Sequence, residues 1–355
     1  MENKKNKKPS VTIGIPVLNE QGHIRRVIEG FLGSSYANLV EIFVADGGST
    51  DNTQEIVQKL SKEDSRVKLI DNPDKYQSYG LNRIIDAASG DIFLRADGHC
   101  IYAEDFIEKS VEALLKSKSK NAGGTQRYIA KNYTQAGIAM ASKSFLGNGG
   151  AKYMNENFEG YSDTVFLGCF WLADLKKLGG FSEANHTNED SEINLRITEE
   201  LKGKIYISPE IKIWYYPRTN FLKLFKQYYS YGRGRCVTNV LHNGNIPFRS
   251  KAPFFFVSLV VLLLLADNIF LNRALGSTYI LAALFFLFLF ESIRVTIENQ
   301  NKLVEEIWTS DSRGEPGILI TSILAFVSLL VMHVAHFFGF GYQKLKLLFS
   351  KKIKW

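Results

Sequence analysis

The sequence predicts an α/β domain built on a mostly parallel sheet, followed by a helical membrane region. Within the first 100 residues, short apolar runs alternate with stretches of helical periodicity, which is the pattern of βαβ units. After Lys251 the chain instead carries three long apolar runs. The mean hydropathy of -0.08 averages over these two parts. We therefore expect one water-soluble domain and one lipid-facing region.

Four short apolar runs are predicted strands, and three helix-like stretches connect them. The strands are Val11–Val17, Val40–Ala45, Val67–Ile70 and Ile92–Ala96, and the helices are Gln21–Leu32, Thr53–Leu60 and Gly80–Ala88. Nearly continuous apolar strands are typical of a sheet that is covered on both faces. Ligands of such sheets bind beyond the carboxyl ends of the strands, so the polar residues that follow each strand form the candidate site.

The stretch from residue 121 to residue 235 is less regular, and we expect it to add a second half to the same sheet. It mixes short strands with a glycine-rich loop at Gly147–Gly150 and two predicted helices, Leu172–Leu178 and Asp190–Leu201. We expect this half to face the second substrate.

The C-terminal part contains three apolar runs, which are Pro253–Phe270, Leu275–Phe290 and Gly317–Phe340. A bilayer needs roughly 20 apolar residues, so the third run is a predicted span. The first two flank a tight turn at Asn272–Arg273 and form either a helical hairpin or one span with an in-plane helix. Lysines between Lys344 and Lys354 belong in the cytosol by the positive-inside rule, which favours an even number of spans with one early segment re-entrant or in-plane.

These features predict a basic tail (1–10), an α/β domain (11–240), and a membrane region with two to three transmembrane or re-entrant helices and a basic end (241–355). The net charge of +7 comes partly from lysines at both ends, which fits an anionic membrane surface better than nucleic acid. Three scattered cysteines and the absence of an apolar stretch before Val11 argue for a reducing compartment and against a cleaved signal peptide. The expected location is the cytoplasmic membrane, multi-pass, with the first domain in the cytosol.

The motif Asp97-Gly98-His99 follows the fourth predicted strand, and Arg95 lies just before it. A carboxylate and an imidazole at this position can meet one divalent cation, and such a cation neutralises a diphosphate leaving group. A site with few protein ligands that is completed by phosphate oxygens suits Mg2+ or Mn2+. An Asp-x-His on a loop is also common as a solvated turn, so the position after a buried strand is what favours a metal site.

The segment Asp46–Asp51 follows the second predicted strand and allows two interpretations. As a strand-to-helix turn, it uses its glycines for positive φ angles and Ser49 or Thr50 as the cap of the next helix. As a binding site, it presents Asp46 to the imide hydrogen of uracil. A glycine-rich phosphate loop does not follow the first strand, which argues against a dinucleotide-binding domain.

Glu189 and Asp190 open a predicted helix just after Asn188. The helix dipole alone favours acidic residues in a first turn. The alternative is that Asp190 is a general base, which takes the proton from an acceptor hydroxyl as that hydroxyl attacks an anomeric carbon.

Taken together, these motifs resemble the family 2 glycosyltransferases of the GT-A fold. The matching segments are Ile13–Glu20, Val44–Asp51, Arg95–His99, Gly179–Glu183 and Glu189–Asp190. Their order and spacing both fit, and the resemblance covers about residues 11–240. His99, the segment Tyr231–Arg235 and the C-terminal apolar runs are most similar to the succinoglycan-type exopolysaccharide transferases.

The resemblance implies a GT-A domain with a Rossmann-like mixed sheet and an inverting, metal-dependent hexosyl transfer. The implied residues of the nucleotide-sugar pocket are Pro16, Asn19, Glu20, Asp46, Gly48, Arg95 and Asp97. Asp97 and His99 would bind Mn2+ or Mg2+, and Asp190 would be the catalytic base beside Glu189. The donor would be a UDP-hexose such as UDP-glucose, and the acceptor a polyprenyl-diphosphate-linked or other membrane glycan at the lipid bilayer.

Two departures from the family pattern leave alternatives open. The common Asp-x-Asp is here Asp97-Gly98-His99, which leaves the choice of metal open, and the Gln-x-x-Arg-Trp motif of processive synthases is absent. The alternatives to a single-addition transferase are a processive polysaccharide synthase, a polyprenyl-phosphate sugar synthase and a non-catalytic nucleotide-binding partner subunit.

Four further residues are candidates for binding the acceptor, namely Trp171, Gln227, Arg233 and Arg235. The two arginines stand among tyrosines just ahead of the apolar runs, where they suit the pyrophosphate of a lipid-linked acceptor. The same residues also fit an interfacial belt of aromatic and cationic side chains. Trp171 would either stack on an acceptor sugar or pack in the core.

Overall fold

The computed structural model describes residues 8–270 and 276–349, which form two compact units. The first unit contains the residues up to Arg127 together with Asn155–Tyr215. The second unit contains Tyr128–Met154 and the residues from Tyr216 onward. The expected division at residue 240 differs from this arrangement, because two segments before residue 240 belong to the second unit.

The first unit is built on a mixed sheet of nine described strands. These are β1 (Val11–Val17), β2 (Leu39–Asp46), β3 (Val67–Asp71), β4 (Ile92–Arg95), β5 (Ile101–Tyr102), β6 (Asn121–Tyr128), β7 (Gly160–Ser162), β8 (Phe166–Trp171) and β9 (Ile205–Tyr215). The strand order is β3-β2-β1-β4-β8-β6-β9-β5, and β7 pairs with β9. Strands β1 to β4 are parallel, whereas β8 runs antiparallel to β4. The predicted mixed α/β sheet is therefore confirmed.

Thirteen α-helices are found in the described residues. They are α1 (Ile24–Leu32), α2 (Thr53–Glu63), α3 (Gln77–Ala87), α4 (Phe106–Ser117), α5 (Tyr133–Lys143), α6 (Phe145–Asn148), α7 (Leu172–Lys177), α8 (Glu189–Glu199), α9 (Phe221–Leu241), α10 (Ala252–Ile269), α11 (Ser277–Glu298), α12 (Gln300–Lys302) and α13 (Ile318–Phe349). The four strands and three helices predicted for the first 100 residues agree with these bounds within three residues. Helices α4, α5, α6, α9 and α12 were not predicted.

The core of the first unit lies on both faces of the parallel strands. Ile13, Ile15, Ile42 and Val44 are fully buried. Their β-branched side chains favour strands because they pack well against neighbours on a pleated surface. The parallel register sets Val17 beside Asp46, so the loops that follow β1 and β2 begin at one edge of the sheet.

Helix α13 is the centre of the second unit, where α5, α9, α10 and α11 pack against it. Two glycines allow α9 and α13 to approach closely. A Cβ atom on Gly232 would clash with the backbone carbonyl of His336, and one on Gly339 would clash with that of Tyr229. Because the contact is made by main-chain atoms, neither position has room for a side chain.

Helices α10, α11 and α13 are long and apolar enough to cross a membrane. They correspond to the three predicted apolar runs, so the predicted helical region is confirmed. The predicted turn at Asn272–Arg273 and the lysines after Phe349 lie outside the described residues.

The close contact between α9 and α13 predicts a strong effect of one added methyl group. Gly339→Ala is expected to destabilise the second unit by about 1–3 kcal/mol or more, because overpacking against backbone forces the two helices apart. Gly341→Ala on the same helix is the matched control, since its Cβ would lie 3.4 Å from the Phe254 ring, an ordinary contact. Alanine is also the better helix former there. Thermal unfolding of the full-length protein in detergent would test this, and equal melting temperatures for both variants would contradict it.

Candidate active site

Arg95 at the end of β4 is the centre of a buried cluster of carboxylates. Its guanidinium is 3.1 Å from Glu189 and 3.6 Å from Asp97, and it also forms an ion pair with Asp190. The Arg95 side chain is only 4% exposed. Two of the predicted site segments, Arg95–His99 and Glu189–Asp190, which are far apart in the sequence, therefore meet at one arginine.

Arg95 stays charged although its side chain is buried. Burial alone would lower the pKa of Arg95, but the neighbouring Glu189 and Asp97 carboxylates more than offset burial, and the pKa is raised. The guanidinium therefore stays charged.

Glu189 and Asp190 differ in their access to solvent. The side chain of Glu189 is 6% exposed, whereas that of Asp190 is 33% exposed. Both lie in the first turn of α8, where the helix dipole favours negative charge. Asn188 before them has a left-handed φ of 70°, which turns the chain into the helix. Only Asp190 of the pair is accessible enough to meet an acceptor hydroxyl.

The glycine-rich segment Gly179–Glu183, which precedes α8, is hydrogen-bonded to both α8 and α3. Arg196 of that helix donates hydrogen bonds of 2.8 Å to the carbonyls of Leu178 and Gly180. Asn82 of α3 accepts from the Phe181 amide and donates to the Phe181 carbonyl. These contacts tie α8 to its preceding loop. Sequence reasoning missed Arg196 and Asn82, because their partners are backbone atoms of distant or irregular segments.

His99 is held by a neighbouring carboxylate. Its Nδ1 atom lies 3.0 Å from Oε1 of Glu20. Since a carboxylate accepts, the His99 proton sits on Nδ1, and in the neutral ring the lone pair is then on Nε2. Histidines that bind metals are commonly oriented in this way by a carboxylate.

Asp97 lies beside His99 in the sequence and is partly buried. Gln77 donates to its Oδ1 atom at 3.2 Å, and the Asp97 backbone amide donates to the Tyr102 hydroxyl at 2.7 Å. Within residues 8–270 and 276–349, no group of three His, Cys, Asp or Glu side chains is placed to hold a metal ion alone. One carboxylate and one oriented imidazole fit a divalent cation whose other ligands come from a diphosphate and water.

The loop after β2 is organised around Asp46. Its carboxylate accepts hydrogen bonds from the amides of Gly48 and Ser49, the Ser49 hydroxyl and the Gln54 side chain, at 2.5–2.9 Å. Asp46 is 2% exposed. The structure thus places Asp46 as the anchor of its own turn. The interpretation of Ser49 or Thr50 as the cap of α2 was wrong, since Asn52 occupies that position.

Asn19 and Glu20 connect the loop after β1 to the loop after β2. The side-chain oxygen of Asn19 accepts from the Thr50 amide at 2.8 Å, and Asn19 itself has a left-handed φ of 57°. The Glu20 amide donates to the Thr53 hydroxyl at 2.8 Å. Pro16 lies at the end of β1 and Gly48 in the facing turn with a φ of 81°. The structure brings all predicted nucleotide-pocket residues to one edge of the sheet.

Trp171 is not part of this cluster. In the antiparallel pairing of β8 with β4 it lies opposite Ile92, at the other end of β4 from Arg95. There it lines a cleft with Pro9 and Asp91. The structure does not bring Trp171 to the Arg95 cluster, and stacking of Trp171 on an acceptor sugar stays a prediction beside the alternative of a packing role.

Gln227, Arg233 and Arg235 all lie on α9 in the second unit. Gln227 donates to the Tyr231 hydroxyl at 2.9 Å. Arg233 donates to Gln343 at 3.0 Å and lies over the Tyr342 ring. A separation of two positions on a helix corresponds to about 200°, so Arg233 and Arg235 leave α9 in different directions. Their role in binding the acceptor stays a prediction.

Comparisons with known proteins agree with this geometry. The family profile described as "Glycosyl transferase family 2" matches residues 12–179. The succinoglycan biosynthesis protein ExoA of Rhizobium meliloti (strain 1021) is 33% identical over 246 residues, which cover 69% of this chain and 74% of that protein. In Methanococcus voltae, the dolichyl N-acetyl-alpha-D-glucosaminyl phosphate 3-beta-D-2,3-diacetamido-2,3-dideoxy-beta-D-glucuronosyltransferase is 28% identical over 304 residues, 82% of this chain and 89% of that protein.

The solved structure of the mannosyltransferase PcManGT from Pyrobaculum calidifontis, in complex with GDP-Man and Mn2+, has a TM-score of 0.60 to this chain. The alignment covers 98% of this chain and 89% of the mannosyltransferase, at 14% identity. The fold is therefore that of a GT-A glycosyltransferase followed by apolar helices. The chain belongs to glycosyltransferase family 2.

Proposed function

We propose that the protein is an inverting transferase that moves a hexose from a UDP-sugar to a lipid-linked glycan acceptor at the cytoplasmic membrane. The observation that carries this proposal is the Arg95 cluster, in which an accessible Asp190 lies beside the predicted diphosphate site at Asp97. Asp190 is the most exposed carboxylate of the cluster, at 33% against 17% for Asp97 and 6% for Glu189. A single accessible base suits a reaction in which the acceptor hydroxyl displaces the diphosphate directly. The resemblance to succinoglycan-type transferases supports UDP-glucose as the first donor to test.

In the proposed reaction, Asp190 accepts the proton of the acceptor hydroxyl while the hydroxyl oxygen attacks the anomeric carbon. The bond from that carbon to the diphosphate oxygen breaks, and the nucleoside diphosphate leaves with the electron pair. Arg95 holds Asp190 in place during the reaction through their ion pair. Positioned general bases contribute about 10²–10⁴-fold to such rates.

Asp97 and His99 are the residues that would hold Mn2+ or Mg2+ in this proposal. The cation, when bound, would offset the negative charge that grows on the departing diphosphate. Glu20 would orient His99 for this purpose through the Nδ1 hydrogen bond.

The lipid-linked acceptor and the membrane location are supported by two observations. Helices α10, α11 and α13 are apolar enough to span a bilayer. The Methanococcus voltae relative, which aligns with 82% of this chain, is named for an acceptor in which a dolichyl phosphate carries the sugar. We propose a multi-pass arrangement in which the first unit faces the cytosol, where nucleotide-sugars are made.

The test of the proposed function is nucleotide release by the purified full-length protein. A panel of UDP-sugars and GDP-sugars would be supplied with Mn2+, with Mg2+ or with a chelator, in the presence and absence of a membrane lipid extract. Metal-dependent release from one UDP-sugar, stimulated by the extract, is the expected result. UDP binding without release from any donor would instead favour the non-catalytic partner subunit, and repeated addition to one chain would favour a processive synthase.

Substitution of Asp97 should separate the metal site from general stability. Asp97→Asn is expected to weaken Mn2+-dependent UDP binding by about ten- to hundredfold, because a charged oxygen ligand is lost. UDP binding without metal should change little. Asp71→Asn is a matched control, since Asp71 ends β3 and is exposed. Calorimetric titration with UDP would measure both, and unchanged Mn2+-dependent binding in Asp97→Asn would remove this residue from the site.

A further inference from the structure

The second unit contains an arginine whose charge has no acidic partner. Arg235 lies on α9 and is partly buried. Among the described residues, no carboxylate forms an ion pair with it. Its electrostatic neighbours are the phenols of Tyr153, Tyr228 and Tyr231 and the guanidinium of Arg249.

This environment is unfavourable for an isolated cation. Burial is the main cause that lowers the pKa of Arg235, and the positive charge of Arg249 lowers it further against the effect of the three tyrosines. A positive charge nearby disfavours the charged form of a second cation. A bound anion would offset both effects on Arg235, and arginine forks match phosphate oxygens well.

The position of Arg249 is specified by the surrounding structure. His336 of α13 is fully buried, and its Nε2 atom donates to the carbonyl of Ser250 at 3.2 Å. On the other side, Gly149 packs so closely that a Cβ atom there would lie 2.9 Å from the Cβ atom of Arg249. The turn that carries Arg249 is therefore held in place.

His336 adds a second polar group to this environment. Its Nδ1 atom is buried and has no hydrogen-bond partner among the described residues. The same side chain lies within electrostatic range of Arg235. A buried polar atom without a partner is uncommon in folded proteins and often marks a place where a ligand or water binds.

Exposed apolar side chains flank the turn that carries Arg249. Phe248, which precedes Arg249, is 70% exposed, and Phe145 is 67% exposed. Phe145 belongs to the same surface, since a Cβ atom on Gly150 would lie 3.2 Å from its ring. A cationic pocket with an exposed apolar rim suits an amphiphile with a phosphate group and a hydrocarbon tail.

We propose that Arg235 and Arg249, with the hydroxyl groups of Tyr153, Tyr228 and Tyr231, bind the diphosphate of an isoprenoid-linked acceptor. Gln227 is a positioning residue in this site, because it bonds to the Tyr231 hydroxyl. Phe145 and Phe248 contact the first part of the hydrocarbon chain. The inference rests on the proposed transfer to a lipid-linked acceptor and names the residues that hold this acceptor.

The test measures the binding of farnesyl diphosphate to the full-length protein by calorimetry, in a neutral detergent. Arg235→Gln and Arg249→Gln are each expected to weaken binding about ten- to hundredfold, because charge-assisted hydrogen bonds are lost. Arg235→Lys should give an intermediate loss, since it keeps the charge without the fork. Lys226→Gln removes one charge from an exposed position of the same helix and should bind like the unmodified protein.

The melting temperature separates a binding role from a structural one. Arg235→Gln should leave the melting temperature of the ligand-free protein equal or higher, because a partly buried charge without an acidic partner is removed. In the unmodified protein, farnesyl diphosphate should raise the melting temperature, and this rise should be absent in Arg235→Gln. A large loss of stability in ligand-free Arg235→Gln, with unchanged affinity in Arg249→Gln, would overturn the proposal.

Three further ligands distinguish the source of the phosphate group. Farnesol should not bind, and inorganic pyrophosphate should bind at least tenfold more weakly than farnesyl diphosphate. Equal binding of inorganic pyrophosphate would overturn the role of the apolar rim. Equal competition by phosphatidylglycerol in mixed micelles would overturn the acceptor assignment in favour of ordinary membrane lipid.

Binding of farnesyl diphosphate at this site should not depend on the donor site in the first unit. Asp190→Asn should bind farnesyl diphosphate normally. If the unmodified protein bound farnesyl diphosphate through Arg235 but released no nucleotide from any sugar donor, the proposed transferase would fail while the lipid-diphosphate site would stand.

Discussion

Asp190→Asn is expected to reduce sugar transfer by about 10²–10⁴-fold, the range that a positioned general base supplies. The side chain keeps its size and can still accept a hydrogen bond from Arg95, so the packing of α8 should be retained. An amide cannot take the proton of the acceptor hydroxyl. Binding of the UDP-sugar should change by only a few fold, because Asp190 acts on the acceptor.

Glu189→Gln is the matched control for this substitution. Glu189 contacts the same guanidinium from the neighbouring position but is nearly inaccessible. We expect it to lower the rate less than Asp190→Asn. Steady-state transfer rates, together with calorimetric UDP binding, would measure both variants. A larger loss in Glu189→Gln would exchange the roles of the two residues, and loss of UDP binding in Asp190→Asn would indicate a structural role.

Arg95→Met is expected to destabilise the first unit by about 3–5 kcal/mol. The substitution keeps an apolar stem of similar length but leaves the buried Glu189 without its partner, and uncompensated buried charges are costly. Transfer should be lost as well, because Asp190 and Asp97 would lose the group that positions them. Arg95→Lys should recover part of the stability, since it retains the charge but not the fork that reaches several carboxylates.

Arg83→Met provides the comparison for this prediction. Arg83 also pairs with a carboxylate, at 3.1 Å from Asp74, but both side chains are over 40% exposed. Exposed ion pairs contribute about 1 kcal/mol or less. Thermal unfolding of both variants in the same detergent would measure the difference. If Arg95→Met unfolded at the temperature of Arg83→Met, burial of the Arg95 cluster would not be important for stability.

Much of the first unit was predictable from the sequence. The apolar runs of β1 to β4 are short and bounded by polar residues, and the intervening helices have clear periodicity. The predicted position of the site followed from the same pattern, because the carboxyl ends of parallel strands meet at one edge. Local sequence determines these features, since strand burial and chain direction are set within each βαβ unit.

Helix α9 shows where local patterns are insufficient. Glycines at positions 232 and 234 and a run of tyrosines disfavour a helix by intrinsic propensity. Gly232 is nevertheless required inside the helix, because the backbone of α13 approaches it directly. The packing that justifies this glycine involves residues more than 100 positions away, so it cannot be inferred from the segment alone.

The sequence by itself determined the fold class, the edge of the sheet where the site lies, and Asp97, His99, Glu189 and Asp190 as its candidates. Only the tertiary structure decided that Arg95 pairs with Asp97, Glu189 and Asp190. It also decided that Asp190 is accessible whereas Glu189 is not, and that Trp171 lies away from this cluster. It also separated Arg233 from Arg235. The reason is physical: residue type and spacing set local conformation, but burial and charge pairing depend on segments that meet only when the chain has folded.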